Sequence, residues 1–155
     1  METTLNREII ELVNSPGTIK ILGTVDADGA PRLAVKESLR VNGQGLLEYD
    51  ELIETSETNR NVLRALWFGG TVRALLVTPG GNSHWILARP VKTLVSGELF
   101  RKRYEAIRAS GRDLDLGAVW ILEPISFFEN GLEKRRLEEE AKHPLLRHLD
   151  RLAVV

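Results

Sequence analysis

The residues whose types and spacing best suit chemistry lie in one short segment, residues 54–62, with the sequence ETSETNRNV. The segment carries hydroxyl groups at Thr55, Ser56 and Thr58 and side-chain amides at Asn59 and Asn61. An apolar, helix-forming run follows, so these side chains fall at the start of a predicted helix. A helix N-terminus offers free N–H groups and a positive dipole end, which together bind phosphate. The same residue types also cap ordinary helices, so the segment is either an anion site or a well-capped helix start.

Other groupings of reactive residues give weaker evidence for a functional site. No cysteine occurs, which excludes disulfides, thiolate chemistry and cysteine metal sites. His143 and His148 are five positions apart rather than the four that share a helical face, so we predict no metal site. His84 is interpreted as an ordinary barrel histidine, and the three tryptophans, Trp67, Trp85 and Trp120, as core residues. No Ser-His-Asp set, P-loop or dinucleotide fingerprint is readable, so catalytic residues stay unknown.

The composition is that of an ordinary globular domain. The chain has 155 residues, 43% of them hydrophobic, and a formal net charge of -1, which gives no bulk attraction for nucleic acid. Its start, METTLNREIIELV, lacks the basic beginning and apolar core of a signal peptide. No apolar run approaches the ~20 residues of a membrane span. We therefore expect a cytoplasmic protein with neither nucleic-acid nor membrane partners.

The first half of the chain predicts one short helix and a β-hairpin. The helix lies in NREIIELVNSPG and stops at Pro16-Gly17. Two β-rich runs follow, joined by Asp28-Gly29, and the second run ends at a turn at Asn42-Gly43. By alternation, the second run is expected to have a core face and a polar face. The core face holds Leu33, Val35, Leu39 and Val41, and the polar face holds Lys36, Ser38 and Arg40.

The second half predicts a third strand, LLEYDELI, and then a helix from about Ser56 to Trp67 that ends at Gly69-Gly70. A hairpin follows, with Pro90 at a bulge or an edge. Then come the helix ELFRKRYEAIRASG, the strand GAVWILEPISFFENG and a charged helical tail from Leu132 to Leu152, interrupted near His143-Pro144. Many short antiparallel strands of this kind favour a barrel.

Four segments in this order resemble the FMN-binding split-barrel superfamily, which includes pyridoxamine 5′-phosphate oxidase and small bacterial FMN-binding proteins. They are TIKILGTVDADGAPRLAVKESLRV, ETSETNRNVLRALWFGGTVRALLVT, GGNSHWILARPVKTLVSGELF and AVWILEPISFFENG. The resemblance implies a mainly β fold, a six-stranded antiparallel split barrel with flanking helices, in a single domain, residues 1–131. Residues 132–155 are then a helical extension packing on the barrel or on a partner subunit. The resemblance also implies a homodimer with FMN at the subunit interface.

The family's site maps onto two parts of this chain. The basic second strand of the family falls on VKESLRV, which makes Lys36, Ser38 and Arg40 cofactor-binding candidates. The family's Lys-Thr pair and following Asn fall on Glu57, Thr58 and Asn61, so a carboxylate replaces the lysine and repels a phosphate there. Glu54, Thr55 and Ser56 would run along the flavin and meet it through backbone N–H groups.

The resemblance implies an FMN-dependent oxidoreductase or electron carrier, with an unidentified small-molecule or electron-donor substrate. True pyridoxamine 5′-phosphate oxidase activity is not expected, because the chain ends in HPLLRHLDRLAVV, without the family's tryptophan. Two alternatives stay open. One is a split-barrel dimer that has lost FMN and serves as a binding or structural module, which Glu57 supports. The other is a haem-handling relative with His84 or a tail histidine as the iron ligand.

Overall fold

The computed structural model describes residues 4–143, which form a seven-stranded antiparallel sheet and four helices. The elements in chain order are α1 (Arg7–Asn14), β1 (Ile19–Val25), β2 (Pro31–Val35), β3 (Arg40–Val41), β4 (Leu47–Glu51), α2 (Glu57–Phe68), β5 (Val72–Val77), β6 (Ser83–Leu94), α3 (Glu98–Ala109), β7 (Ala118–Glu129) and α4 (Leu132–Lys142). The strand order is β2-β1-β5-β6-β7-β4-β3. This mainly β architecture with flanking helices is the predicted one.

The sheet has seven strands rather than six because the predicted second strand is broken into β2 and β3. The chain turns between them, where the Leu39 N–H donates to the Lys36 carbonyl oxygen at 3.1 Å. The buried Lys20 ammonium holds this turn by donating to the carbonyl oxygens of Leu39 at 2.9 Å and Glu37 at 3.4 Å. Burial, and then the nearby Arg40 charge, lower the pKa of Lys20.

The break also resets the alternation of side chains, so the expected single core face of this run is wrong. Leu39 is fully buried, whereas Leu33 and Val35 are 73% and 61% exposed. A turn between two strands changes which face each following residue takes, because the two-residue period holds only within a continuous strand.

Leu33 and Val35 belong to an apolar surface that we call the outer face of the sheet. Strand register places five apolar side chains side by side across five strands: Val35, Ile21, Leu75, Trp85 and Phe128. The Trp85 ring stacks on Phe128 at a centroid distance of 4.1 Å, and the Arg73 guanidinium lies 4.2 Å from the Trp85 centroid. The outer face therefore presents a continuous apolar band with one cation over its aromatic end.

The core lies on the opposite face of the sheet. Its members on the strands include Leu22, Tyr49, Leu76, Ile86 and Trp120, and α1 and α2 contribute Ile9, Val13 and Val62. A smaller cluster of Leu116, Val119 and Ile121 packs beneath Leu99, Phe100 and Ile107 of α3. The core role predicted for Trp120 is confirmed. It is wrong for Trp85, which lies on the outer face, and for Trp67, which is 75% exposed near the end of α2.

The predicted ends of α2 and the predicted irregularity at Pro90 are confirmed. Ser56 is the N-cap of α2, and Gly69 ends this helix with a φ of 67°, a left-handed conformation that glycine adopts without strain. Pro90 sits at a register shift between β6 and β7, as expected of a residue without an N–H donor. The predicted tail is helical as far as Lys142, and its remainder from Pro144 lies outside the described residues. Between residues 4 and 143, no helix is long and apolar enough to cross a membrane.

Candidate functional site

The segment between β4 and α2 is anchored to the core through one asparagine. The Asn59 backbone N–H donates to the Ser56 hydroxyl at 3.0 Å, which caps the helix. The Asn59 side-chain amide donates to the Glu54 carbonyl oxygen at 2.8 Å and accepts from the Trp120 indole N–H at 2.9 Å. A core tryptophan thus fixes the path of residues 54–56, which the sequence resemblance places along a cofactor.

The other end of this segment rests against a glycine. The Gly117 N–H donates to the Glu51 carbonyl oxygen at 2.8 Å. A Cβ atom at position 117 would lie 3.2 Å from the Glu54 Cβ and 3.3 Å from the Glu51 carbonyl oxygen. These two segments of the chain pack so closely that position 117 requires glycine, because even a side-chain methyl group would push residues 51–54 outward.

Arg32 on β2 faces the start of α2 and was not identified from the sequence. Its Nε donates to the Thr58 hydroxyl at 3.0 Å, and its Nη1 donates to the Glu57 carboxylate at 3.2 Å. The side chains of Arg32 and Glu57 are 41% and 42% exposed, so solvent screens this ion pair. Glu57, which replaces the lysine of the family motif, therefore holds an arginine at the N-terminus of α2.

The other predicted site residues near the start of α2 also make hydrogen bonds within the chain. Thr58 and Asn61 are buried, and the Asn61 amide donates to the Thr24 hydroxyl at 3.0 Å. Arg60 is exposed and donates to the Thr55 carbonyl oxygen at 3.1 Å. Thr58 and Asn61 thus link α2 to β1 and β2, whereas Thr55 and Arg60 stand at the surface.

The three candidates of VKESLRV all contact β4: Lys36 and Arg40 through its buried carboxylates, and Ser38 through its backbone. The Lys36 ammonium lies 3.1 Å from the Glu51 carboxylate. Arg40 contacts Glu48 at 3.0 Å and Asp50 at 3.1 Å. The Ser38 hydroxyl accepts from the Asp50 backbone N–H at 2.9 Å. The side chains of Asp50 and Glu51 are each 2% exposed, so the strand LLEYDELI buries acids among apolar residues.

Helix α3 joins the same network through Arg103. Its Nη2 donates to the Asp50 carboxylate at 2.7 Å and its Nε donates at 3.1 Å, a two-point contact that matches guanidinium to carboxylate geometry. The acidic residues inside the apolar strand LLEYDELI indicate that cations must pair with them. The sequence did not show which cations reach them, because Arg103 is 53 residues away from Asp50.

A cavity of about 520 Å³ lies between these elements. Its walls come from the end of β2 and the turn after it, the end of β4 with the following segment, and α3. The lining side chains include Val35, Lys36, Ser38, Leu52, Ile53 and Ile107. The structure therefore brings Lys36 and Ser38 together with residues 51–53 around one cavity, and α2 begins four residues after Ile53.

Tyr49 lies beside this network of ion pairs, and both its ring and its hydroxyl group are buried. Its ring is buried, and the Lys36 ammonium lies 5.3 Å from the ring centroid. The hydroxyl is buried and has no hydrogen-bond partner among residues 4–143. Burial, reinforced by the Glu51 charge, raises the pKa of the Tyr49 phenol well above its usual range.

The histidines lie away from this cavity. His84 is buried at the far end of β6, where it lines a separate cavity of about 280 Å³ between α1, β7 and α4. His143 follows α4, and His148 lies outside the described residues. Residues 4–143 contain no group of three His, Cys, Asp or Glu side chains arranged to hold a metal ion.

Comparison with known proteins rests on structure alone, because no family model and no curated protein matches the sequence. HupZ from Group A Streptococcus superposes with a TM-score of 0.66 at 20% identity, covering 83% of this chain and 96% of HupZ. A candidate pyridoxamine 5′-phosphate oxidase from Lactobacillus delbrueckii gives 0.61 at 23% identity, covering 83% and 99%. An FMN-binding protein from Syntrophomonas wolfei gives 0.61 at 19% identity, covering 81% and 88%.

The chain has the pyridoxamine 5′-phosphate oxidase-like split-barrel fold. The fold that the sequence resemblance implies is thereby confirmed over most of the chain. At identities of 19–23% the likeness shows the fold alone, so the site must be judged on its own residues.

The residues present fit the ring system of FMN better than its phosphate. A cavity with apolar walls from Leu52, Ile53 and Ile107 and with Lys36 in its lining suits a planar, partly polar ring system. The phosphate end fits less well, because Lys36, Arg40 and Arg103 are paired with carboxylates of β4 and Arg32 is paired with Glu57. This leaves Arg112 of the cavity lining without an ion pair among residues 4–143.

Proposed function

We propose that this chain is a flavin-binding protein, acting as a flavin-dependent oxidoreductase or an electron carrier. The observation that carries the proposal is the cavity lined by Lys36, Ser38 and residues 51–53. The chain runs from this cavity into the N-terminus of α2, which Ser56 caps. The fold adds support, since solved proteins that share it include one named as FMN-binding. FMN is the flavin that the sequence resemblance implies.

The residues of the site would have separate roles toward a flavin. Leu52, Ile53 and Ile107 would exclude water from the ring, and the Lys36 ammonium, held by Glu51, would offer a donor at the cavity wall. Residues 54–56, held by Asn59 and Trp120, would offer backbone groups at fixed positions. A bound flavin supplies the hydride or electron transfer, so the chain's part is binding, orientation and control of access.

We further propose that the chain works as a homodimer through the outer face of its sheet, with the flavin at the interface. Exposed apolar patches of this kind mark protein interaction sites, and two-fold homodimers are the commonest oligomers. Val35 belongs both to the outer face and to the cavity wall. A second copy docked on the outer face would therefore approach the cavity and help to enclose it. We also propose that the protein is cytoplasmic.

The first test is flavin binding by the purified protein. We expect a visible flavin absorbance band in the protein after incubation with flavin and desalting. Ile53→Asp should weaken flavin binding at least about tenfold, because it puts a negative charge at the apolar wall. Ile53 is 63% exposed, so the fold should tolerate this change.

The matched control is Val95→Asp, which changes a residue of similar exposure, 67%, that does not line the cavity. Flavin affinity should be unchanged in this control. Equal flavin affinity in both variants would place the flavin elsewhere and contradict the proposed site.

A binding or structural module that has lost its flavin is the second candidate, and one observation favours it. Lys36 and Arg103 of the cavity lining are already paired with the Glu51 and Asp50 carboxylates, so these two cations need no charged ligand. A colourless protein that leaves flavin fluorescence unchanged would support this module, and a Soret band would instead indicate haem.

A further inference from the structure

The charged side chains of the cavity lining differ in whether a ligand can reach them. Within residues 4–143 these side chains are Lys36, Glu37, Asp50, Glu51, Arg103 and Arg112. Lys36 is held by Glu51 at 3.1 Å, and Arg103 is held by Asp50 at 2.7 Å. Both carboxylates are almost fully buried, and withdrawing a cation from a buried carboxylate is strongly unfavourable. Lys36 and Arg103 are therefore committed to the protein itself.

Arg112 is the cation of this lining that remains unpaired. It lies in the loop after α3, where its backbone N–H donates to the Ser110 hydroxyl at 3.4 Å and its carbonyl oxygen accepts from the Leu114 N–H at 2.9 Å. Its guanidinium makes no ion pair or side-chain hydrogen bond with residues 4–143, and the residue is exposed. Asp113 and Asp115 of the same loop do not line the cavity. The Arg112 guanidinium is thus free to meet a ligand.

Glu37, the remaining acid of the lining, has a cation of its own nearby. It lies in the turn between β2 and β3, whose carbonyl groups hold the buried Lys20 ammonium. Burial, and then the Arg40 charge, lower the pKa of Lys20, and the Glu37 charge opposes both effects. Glu37 therefore offsets the charge of Lys20. An anionic ligand can meet Arg112 without breaking an ion pair.

The start of α2, where the sequence resemblance places a phosphate, does not form part of this cavity. The lining includes residues 50–53 but neither Glu57 nor Thr58. Arg32, the arginine at the start of α2, already donates to the Thr58 hydroxyl at 3.0 Å and to the Glu57 carboxylate at 3.2 Å. A ligand whose ring fills the cavity therefore has its unpaired cation at the loop after α3.

We propose that Arg112 binds the terminal phosphate of the flavin, so that the phosphate lies at the loop after α3 and not at the start of α2. The inference rests on the proposed flavin function and deepens it by naming FMN as the preferred form and Arg112 as the residue that selects it. A guanidinium offers two parallel N–H donors that match two phosphate oxygens. Riboflavin has the same ring and ribityl chain without the phosphate, so it cannot use this contact.

The experiment is a pair of fluorescence titrations of the full chain with FMN and with riboflavin, which share the same fluorescent ring. Wild type should bind FMN about tenfold tighter than riboflavin, the low end for hydrogen bonds to a charged group, because solvent and salt screen the exposed Arg112. Arg112→Gln should bring the FMN affinity to within about threefold of the riboflavin affinity. Riboflavin affinity should stay unchanged in this variant, which shows that the cavity is intact.

Two control variants remove other arginines. Arg108→Gln removes an exposed arginine of α3 that has no ion pair among residues 4–143 and does not line the cavity. Arg32→Gln removes the arginine that contacts Thr58 and Glu57 at the start of α2. Both variants should keep the wild-type preference for FMN.

Three results would overturn the role of Arg112 and leave the flavin function intact. The first is wild-type protein that binds riboflavin as tightly as FMN. The second is an Arg112→Gln variant that keeps the full preference for FMN, or an Arg108→Gln variant that loses as much of it. The third is loss of the preference in Arg32→Gln, which would place the phosphate at the start of α2. Failure of both flavins to bind would instead overturn the flavin function and the role of Arg112 together.

Discussion

Asp50 is the centre of the buried charge network, and Asp50→Asn is the most informative change to make in it. The carboxylate accepts from two arginines, Arg40 on β3 and Arg103 on α3. Asparagine keeps the size of the side chain and one acceptor oxygen, and it replaces the charge and the other acceptor oxygen with an NH2 donor. The variant therefore leaves two guanidinium groups facing a neutral amide.

The expected cost follows from the burial of the partners. Losing one partner of a buried ion pair typically costs about 3–5 kcal/mol. Arg40 and Arg103 retain 22% and 29% exposure, so water recovers part of their solvation. We therefore expect Asp50→Asn to lower the free energy of unfolding by about 2–3 kcal/mol. Arg103→Ala should cost less, because Asp50 would still be paired with Arg40.

Urea unfolding followed by circular dichroism measures this cost. With a slope of about 2 kcal/mol per molar urea, the midpoint of Asp50→Asn should fall by about 1–1.5 M. Glu105→Gln is the control, because it breaks the exposed pair with Arg101 on α3, and its midpoint should scarcely move. A midpoint shift in Asp50→Asn no larger than in Glu105→Gln would refute the reasoning that this network is buried and coupled.

Two further predictions concern Tyr49 and the outer face. Tyr49→Phe should leave the protein equally or more stable at neutral pH, because the hydroxyl has no partner among residues 4–143. Since the phenol pKa is raised in the folded state, wild-type stability is lost as pH rises above 10, by up to about 1.4 kcal/mol per pH unit. Urea midpoints across that pH range should show a smaller loss in Tyr49→Phe, and an identical loss would contradict the burial of the phenol. Leu33→Glu should convert a dimer to a folded monomer in sedimentation, because Leu33 is 73% exposed on the outer face; a variant that stays dimeric would place the interface elsewhere.

Most of the fold was predictable because its signals are local. Asp28-Gly29 marks the first hairpin, Ser56 and Gly69 bound α2, and Pro90 marks a bulge, each through the backbone preferences of a single residue type. The break between β2 and β3 was not predictable in this way. It depends on the Lys20 ammonium, which reaches across to carbonyl groups 17 and 19 residues away.

The start of α2 was predictable from the sequence, but the ion pairs around the candidate site were not. The hydroxyls and amides of residues 54–62 marked the start of a helix, and the structure places them there. The ion pairs that decide the charge of the site join Arg32 to Glu57 and Arg103 to Asp50, across 25 and 53 residues. Such contacts follow from strand order and helix packing, which no local pattern encodes. Trp67 shows the same limit, because an apolar helix end does not reveal which side meets the core.

The measurement that tests the proposed flavin site most directly is equilibrium dialysis of flavin-free protein against FMN and, separately, riboflavin, with wild type and Leu33→Glu side by side. The proposed site predicts one flavin per chain at saturation in wild type, because each copy carries one cavity beside Lys36. It also predicts at least about tenfold weaker retention in Leu33→Glu, since a second copy helps to enclose the ring. Wild-type protein that retains no flavin, or a monomeric Leu33→Glu that retains it equally well, would contradict a flavin site completed by the dimer.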